Sequence, residues 1–177
     1  MSDIVSTNLV LRVGILTVSD RSSAGLRPDA SGPALEGLIS TRGWKVVRRL
    51  TVADEVPAIK KALVNWAGSG DLDLILTTGG TGFSPRAVTP EATLAVIERA
   101  APGLAEAMRQ ASLRITPHAM LSRAIAGIRG RTLIINLPGS PRAAVENFAV
   151  VAPVLPHAVQ LLGDDPNAEA GHSLLEL

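Results

Sequence analysis

Apolar residues fall into two periodicities that alternate along the chain. Residues 9–18 are almost continuously apolar, as are 72–76, and such runs predict strands covered on both faces in a parallel sheet. Between them the spacing lengthens: Leu35, Leu38 and Ile39, then Val56, Ile59, Leu63 and Trp66, recur at helical intervals. Ser31-Gly32-Pro33 opens the first of these helices and Gly43 ends it. The second starts at Asp54-Glu55-Val56-Pro57, with proline tolerable only in the first turn, and stops at Gly68-Ser69-Gly70. Residues 44–51 predict a strand whose Arg48 and Arg49 point to a sheet edge. Further helices are predicted over 90–100 and, beyond the break at Pro102-Gly103, along Leu104, Ala107, Met108 and Ala111. Residues 121–128 and 132–137, joined by Arg129-Gly130, read as a hairpin whose first strand runs antiparallel to the rest. Helices over 141–150 and 153–162 follow, the latter aligning Val154, Ala158, Leu161 and Leu162. These elements predict a single three-layer α/β/α domain over residues 1–163. Its sheet is mixed but mostly parallel, of about five strands, with one antiparallel edge strand. Residues 164–177, small and polar, are expected to form a flexible C-terminal tail.

Composition narrows the function. A chain of 177 residues can bury one sizeable core. A net charge of +1, from 17 basic and 16 acidic residues, argues against a nucleic-acid partner. With 2% aromatic residues and no tyrosine, stacking platforms for bases are not expected either. The absence of cysteine removes disulfides, thiolate metal sites and a thiol nucleophile. The N-terminus lacks a basic-then-apolar signal and no apolar run approaches the ~18 residues of a span, so a cytoplasmic protein without a membrane partner is expected. His118, His157 and His172 lie far apart without ligand spacing, and Ser19, Ser122 and Ser140 have no histidine in an obvious triad arrangement. Protein-held zinc and serine-hydrolase chemistry are therefore unsupported.

What remains is the chemistry of strand ends. Strands finish in polar loops after Val18, Thr78 and Leu137, and in an open α/β sheet those ends share one crevice. The loop Thr77-Thr78-Gly79-Gly80-Thr81-Gly82 carries glycines that permit positive φ and close approach of a ligand. It is neither a P-loop nor a G-x-G-x-x-G fingerprint. Thr89-Pro90-Glu91 supplies an N-cap, an N1 proline and an acid in the first turn, and Ser140-Pro141 repeats the cap and proline after Pro138-Gly139. The pattern predicts two phosphate cradles side by side, with free N–H groups at positive helix ends. Arg21 and Arg86, nearest these loops, have guanidinium forks suited to phosphate. Asp20 and Asp54 read equally as turn or helix-start residues and as Mg²⁺ or ligand contacts.

The string Thr-Thr-Gly-Gly-Thr-Gly-Phe-Ser-Pro-Arg-Ala-Val-Thr-Pro-Glu-Ala-Thr from Thr77 to Thr93 resembles the signature of the molybdopterin-binding family of molybdenum cofactor biosynthesis. That family includes molybdopterin adenylyltransferases and the gephyrin G domain. Further blocks match in order: Thr17 to Arg21 with Ser31-Gly32-Pro33, Met120 to Arg123, and Leu133 to Pro141. The resemblance implies that the terminal phosphate of molybdopterin attacks the α-phosphate of Mg-ATP, giving adenylylated molybdopterin and pyrophosphate. It favours Asp54 as an active-site acid, and Asp54 is expected to hold Mg²⁺ together with Asp20, which its position just past the first strand puts on the same crevice edge. ATP and molybdopterin would contact Ser19, Arg21, Thr78, Gly79, Gly80, Thr81, Gly82, Arg86, Ser122, Asn136, Pro138, Gly139 and Ser140. A homotrimer and contact with the downstream molybdate-inserting enzyme are implied as well. Such a transfer needs positioning and charge neutralisation more than covalent help. One departure stands out: where the family string typically has aspartate before Val-Thr-Pro, this chain has Ala87. Either Asp20, Asp54 and the phosphates suffice, with restoring the carboxylate raising the rate about tenfold, or the chain is a non-catalytic molybdopterin-binding or carrier protein. A generic nucleotide-binding domain is the weaker alternative, since neither a ribose-binding acid nor a P-loop lysine is evident.

Overall fold

The computed structural model describes residues 9–166 and residue 168. Six strands form one sheet in the order β2-β1-β3-β6-β5-β4. They are β1 (Arg12–Val18), β2 (Lys45–Val52), β3 (Leu74–Thr78), β4 (Arg99–Ala100), β5 (Ala126–Arg129) and β6 (Thr132–Leu137). The pairs β1–β2, β1–β3 and β3–β6 are parallel, whereas β5 runs antiparallel to both β6 and β4. The direction of the hairpin is therefore as expected. Its antiparallel strand lies one place inside the edge, because a sixth strand, β4, adds outside it.

The helices are α1 (Asp20–Ser23), α2 (Ser31–Thr41), α3 (Val56–Ala67), α4 (Thr89–Leu94), α5 (Pro102–Leu113), α6 (Pro141–Val151) and α7 (Leu155–Leu162). Every residue of β3 is buried, and the strand alternates between two cores: Leu74 and Leu76 pack with α2, α5, α6 and α7, while Ile75 packs with α3 and α4. This explains the unbroken apolar run. A strand covered on both faces has no position where water would reward a polar residue.

Several expected elements change in detail. The helix predicted over 90–100 ends at Leu94, and Arg99–Ala100 becomes β4. The cause is tertiary: Glu98 N–H donates to Ile128 O and Ala101 N–H to Ala126 O, so the edge of β5 captures the chain. Residues 19–25, expected as a loop, contain α1, whose first turn is capped when Ser19 Oγ accepts from Ser22 N–H at 3.2 Å. On α5, Ala105 rather than Ala107 faces the core beside Met108. On α7 the buried residue is Leu155, with Val154 and Leu161 exposed. The helical run Pro141–Leu162 has 22 residues and contains an 18-residue window of mean hydropathy 1.3, which passes for a membrane span by length and composition alone. It is broken by a 3₁₀ turn at Ala152–Val154, and Ala144, Phe148, Val151, Ala152 and Leu155 lie in the protein core. The expected C-terminal tail lies almost entirely outside the described residues.

Candidate active site at the sheet edge

Strand order reverses between β1 and β3, because β2 leaves to one side of β1 and β3 joins the other. An open crevice at the carboxyl ends of the strands is the expected consequence. A cavity of about 850 Å³ occupies that place. Nine of the predicted site residues line it: Ser19, Asp20, Arg21, Asp54, Thr78, Gly79, Gly80, Gly139 and Ser140. Thr81, Gly82, Ser122 and Pro138 instead line a second, smaller cavity of about 280 Å³ with Ile115, Ala119 and Asn147. Arg86 and Asn136 line neither. Asn136 is fully buried; its amide donates to Thr77 Oγ1 and Thr93 Oγ1, both at 2.9 Å, and its Oδ1 accepts from Ile125 N–H. It is a satisfied polar node that ties β6 and β3 to α4.

The loops around the first cavity are locked to one another. Thr78 Oγ1 donates to Pro138 O at 2.7 Å and Gly79 N–H to Leu137 O at 3.2 Å, joining the ends of β3 and β6. Gly79 has φ +105°, and a Cβ there would stand 2.2 Å from Val18 O. Gly80 has φ +65°, and a Cβ there would meet Thr89 Oγ1 at 2.3 Å and Asp54 Oδ1 at 3.1 Å. These glycines first let the protein's own atoms approach; ligand approach is not their only demand, as the sequence suggested.

Asp20 and Asp54 hold each other through the backbone. Asp20 N–H donates to Asp54 Oδ2 at 2.8 Å and Asp54 N–H to Asp20 Oδ1 at 2.9 Å. Arg86 then pairs both oxygens of Asp20, at 3.0 and 2.9 Å. Hydrogen bonding from Arg86, with the Asp54 N–H second, holds Asp20 below the ordinary carboxylate range. Burial pushes Asp54 above it, and the nearby charge of Asp20 adds to the rise against the hydrogen bond from its N–H partner and the charge of Arg86. The two carboxyls thus have opposed environments, as in sites where charge is used rather than merely solvated. Among the described residues, no cluster of three or more His, Cys, Asp or Glu side chains is arranged to hold a metal. Asp54 Oδ1, facing Gly80, has no hydrogen-bond donor among the described residues, so it is the oxygen most open to a cation.

Asp29, Arg27 and Ser84 also line the cavity, although the sequence reading did not assign them to the site. Asp29 accepts from Thr17 Oγ1 at 2.8 Å, Gly32 N–H at 3.0 Å and Ser31 Oγ at 3.2 Å. The signal was there: an aspartate three residues before an N–H at a helix start is a capping pattern. Arg27 carried no such signal, since only tertiary folding brings its loop to the cavity, whereas Ser84 stood within the Thr77–Thr93 string without being assigned to the site. Among the described residues neither Arg21 nor Arg27 has a side-chain hydrogen bond or ion pair, so two guanidinium groups stand uncommitted on one wall. Ser140 makes no side-chain cap, which leaves the first N–H groups of α6 open beside them. Ala87, 8% exposed, lines neither cavity; its N–H donates to Ser84 O at 2.8 Å and its carbonyl accepts from Arg123.

Known proteins resemble this chain over most of its length. Gephyrin of Dictyostelium discoideum is 44% identical over 171 residues, covering 91% of this chain, which spans 24% of the length of that protein. A molybdopterin adenylyltransferase of Helicobacter pylori is 42% identical over 154 residues, covering 86% of this chain and 88% of its own. The crystal structure of the molybdopterin biosynthesis enzyme MoaB of Thermus thermophilus superposes with a TM-score of 0.83 at 52% identity, covering 89% of this chain and 99% of that one. The model of the family described as a probable molybdopterin binding domain matches residues 14–157, and with the crevice, glycine loop and helix starts in the matching order, this chain belongs to that family of molybdenum cofactor biosynthesis.

Proposed function

We propose that the protein transfers the adenylyl group of Mg-ATP to the terminal phosphate of molybdopterin. The observation that carries this reading is the meeting, at one 850 Å³ cavity, of two uncommitted arginines, an uncapped helix start and an unlike carboxyl pair. In the reaction an oxygen of the terminal phosphate forms a bond to the α-phosphorus of ATP. The bond from that phosphorus to the bridging oxygen breaks, and pyrophosphate leaves with the electron pair. An ionised phosphate has no proton to lose, so neither a base nor a protein nucleophile is required. The likeness to a protein named molybdopterin adenylyltransferase supports the choice of substrates.

Each group in the cavity has a part in this scheme. Arg21 and Arg27 neutralise phosphate charge and orient it through their planar forks. The first N–H groups of α6 receive a phosphate at the positive end of an 11-residue helix. Mg²⁺, typically held by one or two carboxylates plus phosphate oxygens and water, fits Asp54 Oδ1 and the carboxylate of Asp20. It would supply further charge neutralisation there. Arg86 already occupies Asp20, so the guanidinium must yield that carboxylate or share it. Assembly as a homotrimer belongs to the same proposal, and light scattering showing a monomer at all concentrations would remove it.

The test is pyrophosphate release from ATP that depends on molybdopterin. The native chain should release it, and Asp54→Ala should slow release about a hundredfold, on the scale of losing one electrostatic contact to the transition state, while sparing molybdopterin affinity. Ala87 favours a second reading, a binding protein of the same fold. Tight molybdopterin binding with no release from the native chain would decide for it.

A further inference from the structure

Arg123 lies between the 3₁₀ turn at Pro117–Leu121 and β5, and it lines neither cavity. It nevertheless makes four bonds to the segment that carries Arg86. Its N–H donates to Thr81 O at 2.9 Å and its Nε to Gly82 O at 2.9 Å. Nη2 donates to Ala87 O, and Nη1 pairs with the Glu91 carboxylate at the start of α4. We propose that Arg123 is a positioning residue: by clamping both ends of the loop 82–87, it holds Arg86 against Asp20 at the wall of the first cavity.

The loop has little else to fix it. Phe83 is 67% exposed, and the internal bonds are the turn Ala87 N–H to Ser84 O and a long 3.4 Å bond from Arg86 N–H to Ser84 Oγ. The next backbone bond, Thr89 N–H to Gly80 O at 3.1 Å, closes the base outside the loop. A guanidinium presents its donors in one rigid plane, so carbonyls five residues apart, at 82 and 87, are brought to a single flat group. That fixes the arc between them, and Arg86 projects from the arc one residue before its second anchor. Burial pushes Glu91 up, but the hydrogen bond and charge of Arg123 and its own N–H hold it below the usual range, so the clamp keeps its ion pair at neutral pH. A lysine at 123 would supply a point charge without the fork and could not serve both carbonyls and the carboxylate together.

This inference rests on the proposed function only for the meaning of Asp20, and its test needs no substrate. The measurement is exchange of the Arg86 Nε–H proton in the ligand-free protein by ¹H–¹⁵N NMR. Arg86→Lys assigns the signal, and Asp20→Asn gives the rate without its partner. Arg123→Lys and Arg123→Gln should each speed exchange at least tenfold. Arg109→Gln, which removes a comparable side-chain bond to Ala124 O outside the loop, should change it less than twofold. Folded Arg123 variants with exchange within twofold of the native rate would overturn the proposal, even if their melting temperature fell, since a merely structural role predicts that result. Should those variants not fold, Glu91→Gln removes one clamp point and should speed exchange about threefold; no change would overturn the proposal equally. A native chain that shows the protected Arg86 proton but releases no pyrophosphate would sink the adenylyl-transfer reading and leave the clamp standing.

Discussion

The starts of α4 and α6 have nearly the same sequence, Thr-Pro after one glycine loop and Ser-Pro after another, yet they do different work. At α4, Thr89 is not the cap but the first helical residue; it is fully buried, and its hydroxyl donates to Gly79 O at 2.9 Å. Pro90 is buried and Glu91 is taken by Arg123. With six residues and a start committed to the protein, α4 is not the second phosphate cradle that the sequence suggested. At α6, Ser140 and Pro141 line the 850 Å³ cavity, and the serine makes no cap. A Ser/Thr-Pro dipeptide announces a helix start, but whether the open N–H groups meet protein or solvent depends on which side of the sheet the helix packs.

The comparison breaks most forcibly at the glycine whose carbonyl holds α4. Gly79→Ala forces a side chain into positive φ and against Val18 O, and should cost about 3–4 kcal/mol in urea unfolding, on the scale of backbone strain added to a core clash. Gly82→Ala is the control within the same loop: its Cβ would meet nothing within 4 Å, and the change should stay within about 0.5 kcal/mol.

Thr89→Val keeps the shape of the α4 start and removes its hydroxyl. The orphaned Gly79 carbonyl should cost about 2 kcal/mol of stability, with nucleotide affinity reduced only as far as the loop shifts. An unchanged unfolding midpoint would mean that the hydroxyl does not anchor this helix.

On the α6 side the expected losses are in binding rather than stability. Arg21→Gln and Arg27→Gln should each weaken ATP binding about tenfold by calorimetry, equivalent to ~1.4 kcal/mol, and flatten its salt dependence. Unfolding should barely change, because neither side chain has a partner to lose among the described residues. Ser140→Ala should likewise leave stability within about 0.5 kcal/mol, the opposite of a true cap.

The smallest effect concerns pH. Asp54 is raised in the folded protein, so the folded state binds more protons between the unfolded and folded values, and stability falls as pH rises through that window. Asp54→Asn should remove that fall and raise the unfolding free energy slightly at pH 7, by less than about 1 kcal/mol after solvent screening. Asp20 is lowered, so its contribution is present above the unfolded value and disappears as pH drops through the folded one. Asp20→Asn should therefore weaken the acid dependence of melting, and Arg86→Gln should do the same.

Much of the fold was legible because each signal was local. Burial on both faces wrote β1, β3 and β6 as apolar runs, and Gly43, Gly130 and the prolines marked the turns. The edge position of β2 followed from its arginines, which pair across the surface with Asp71 and Glu36. The site was legible in part for the same reason: Asp20, Asp54, Gly79, Gly80 and Ser140 adjoin strand ends, and the strand ends define the crevice.

What the chain order could not express were choices between surfaces. Residues 99–100 read as helix until β5 offers unpaired backbone groups that capture them as β4. Asn136 has the residue type and place of a ligand contact, but the side-chain period of 2 turns it toward Thr77 and Thr93 beneath the sheet. Thr81 and Gly82 follow the loop over to the second cavity, one residue beyond Gly80 at the first. Periodicity, glycines and caps determined the elements and the edge of the sheet at which chemistry can occur, because these depend on neighbours along the chain. The pairing of Arg86 with Asp20, the clamp at Arg123 and the freedom of Arg21 and Arg27 were decided only by tertiary structure. Each depends on which charges, distant in sequence, folding brings within reach and which it leaves without a partner.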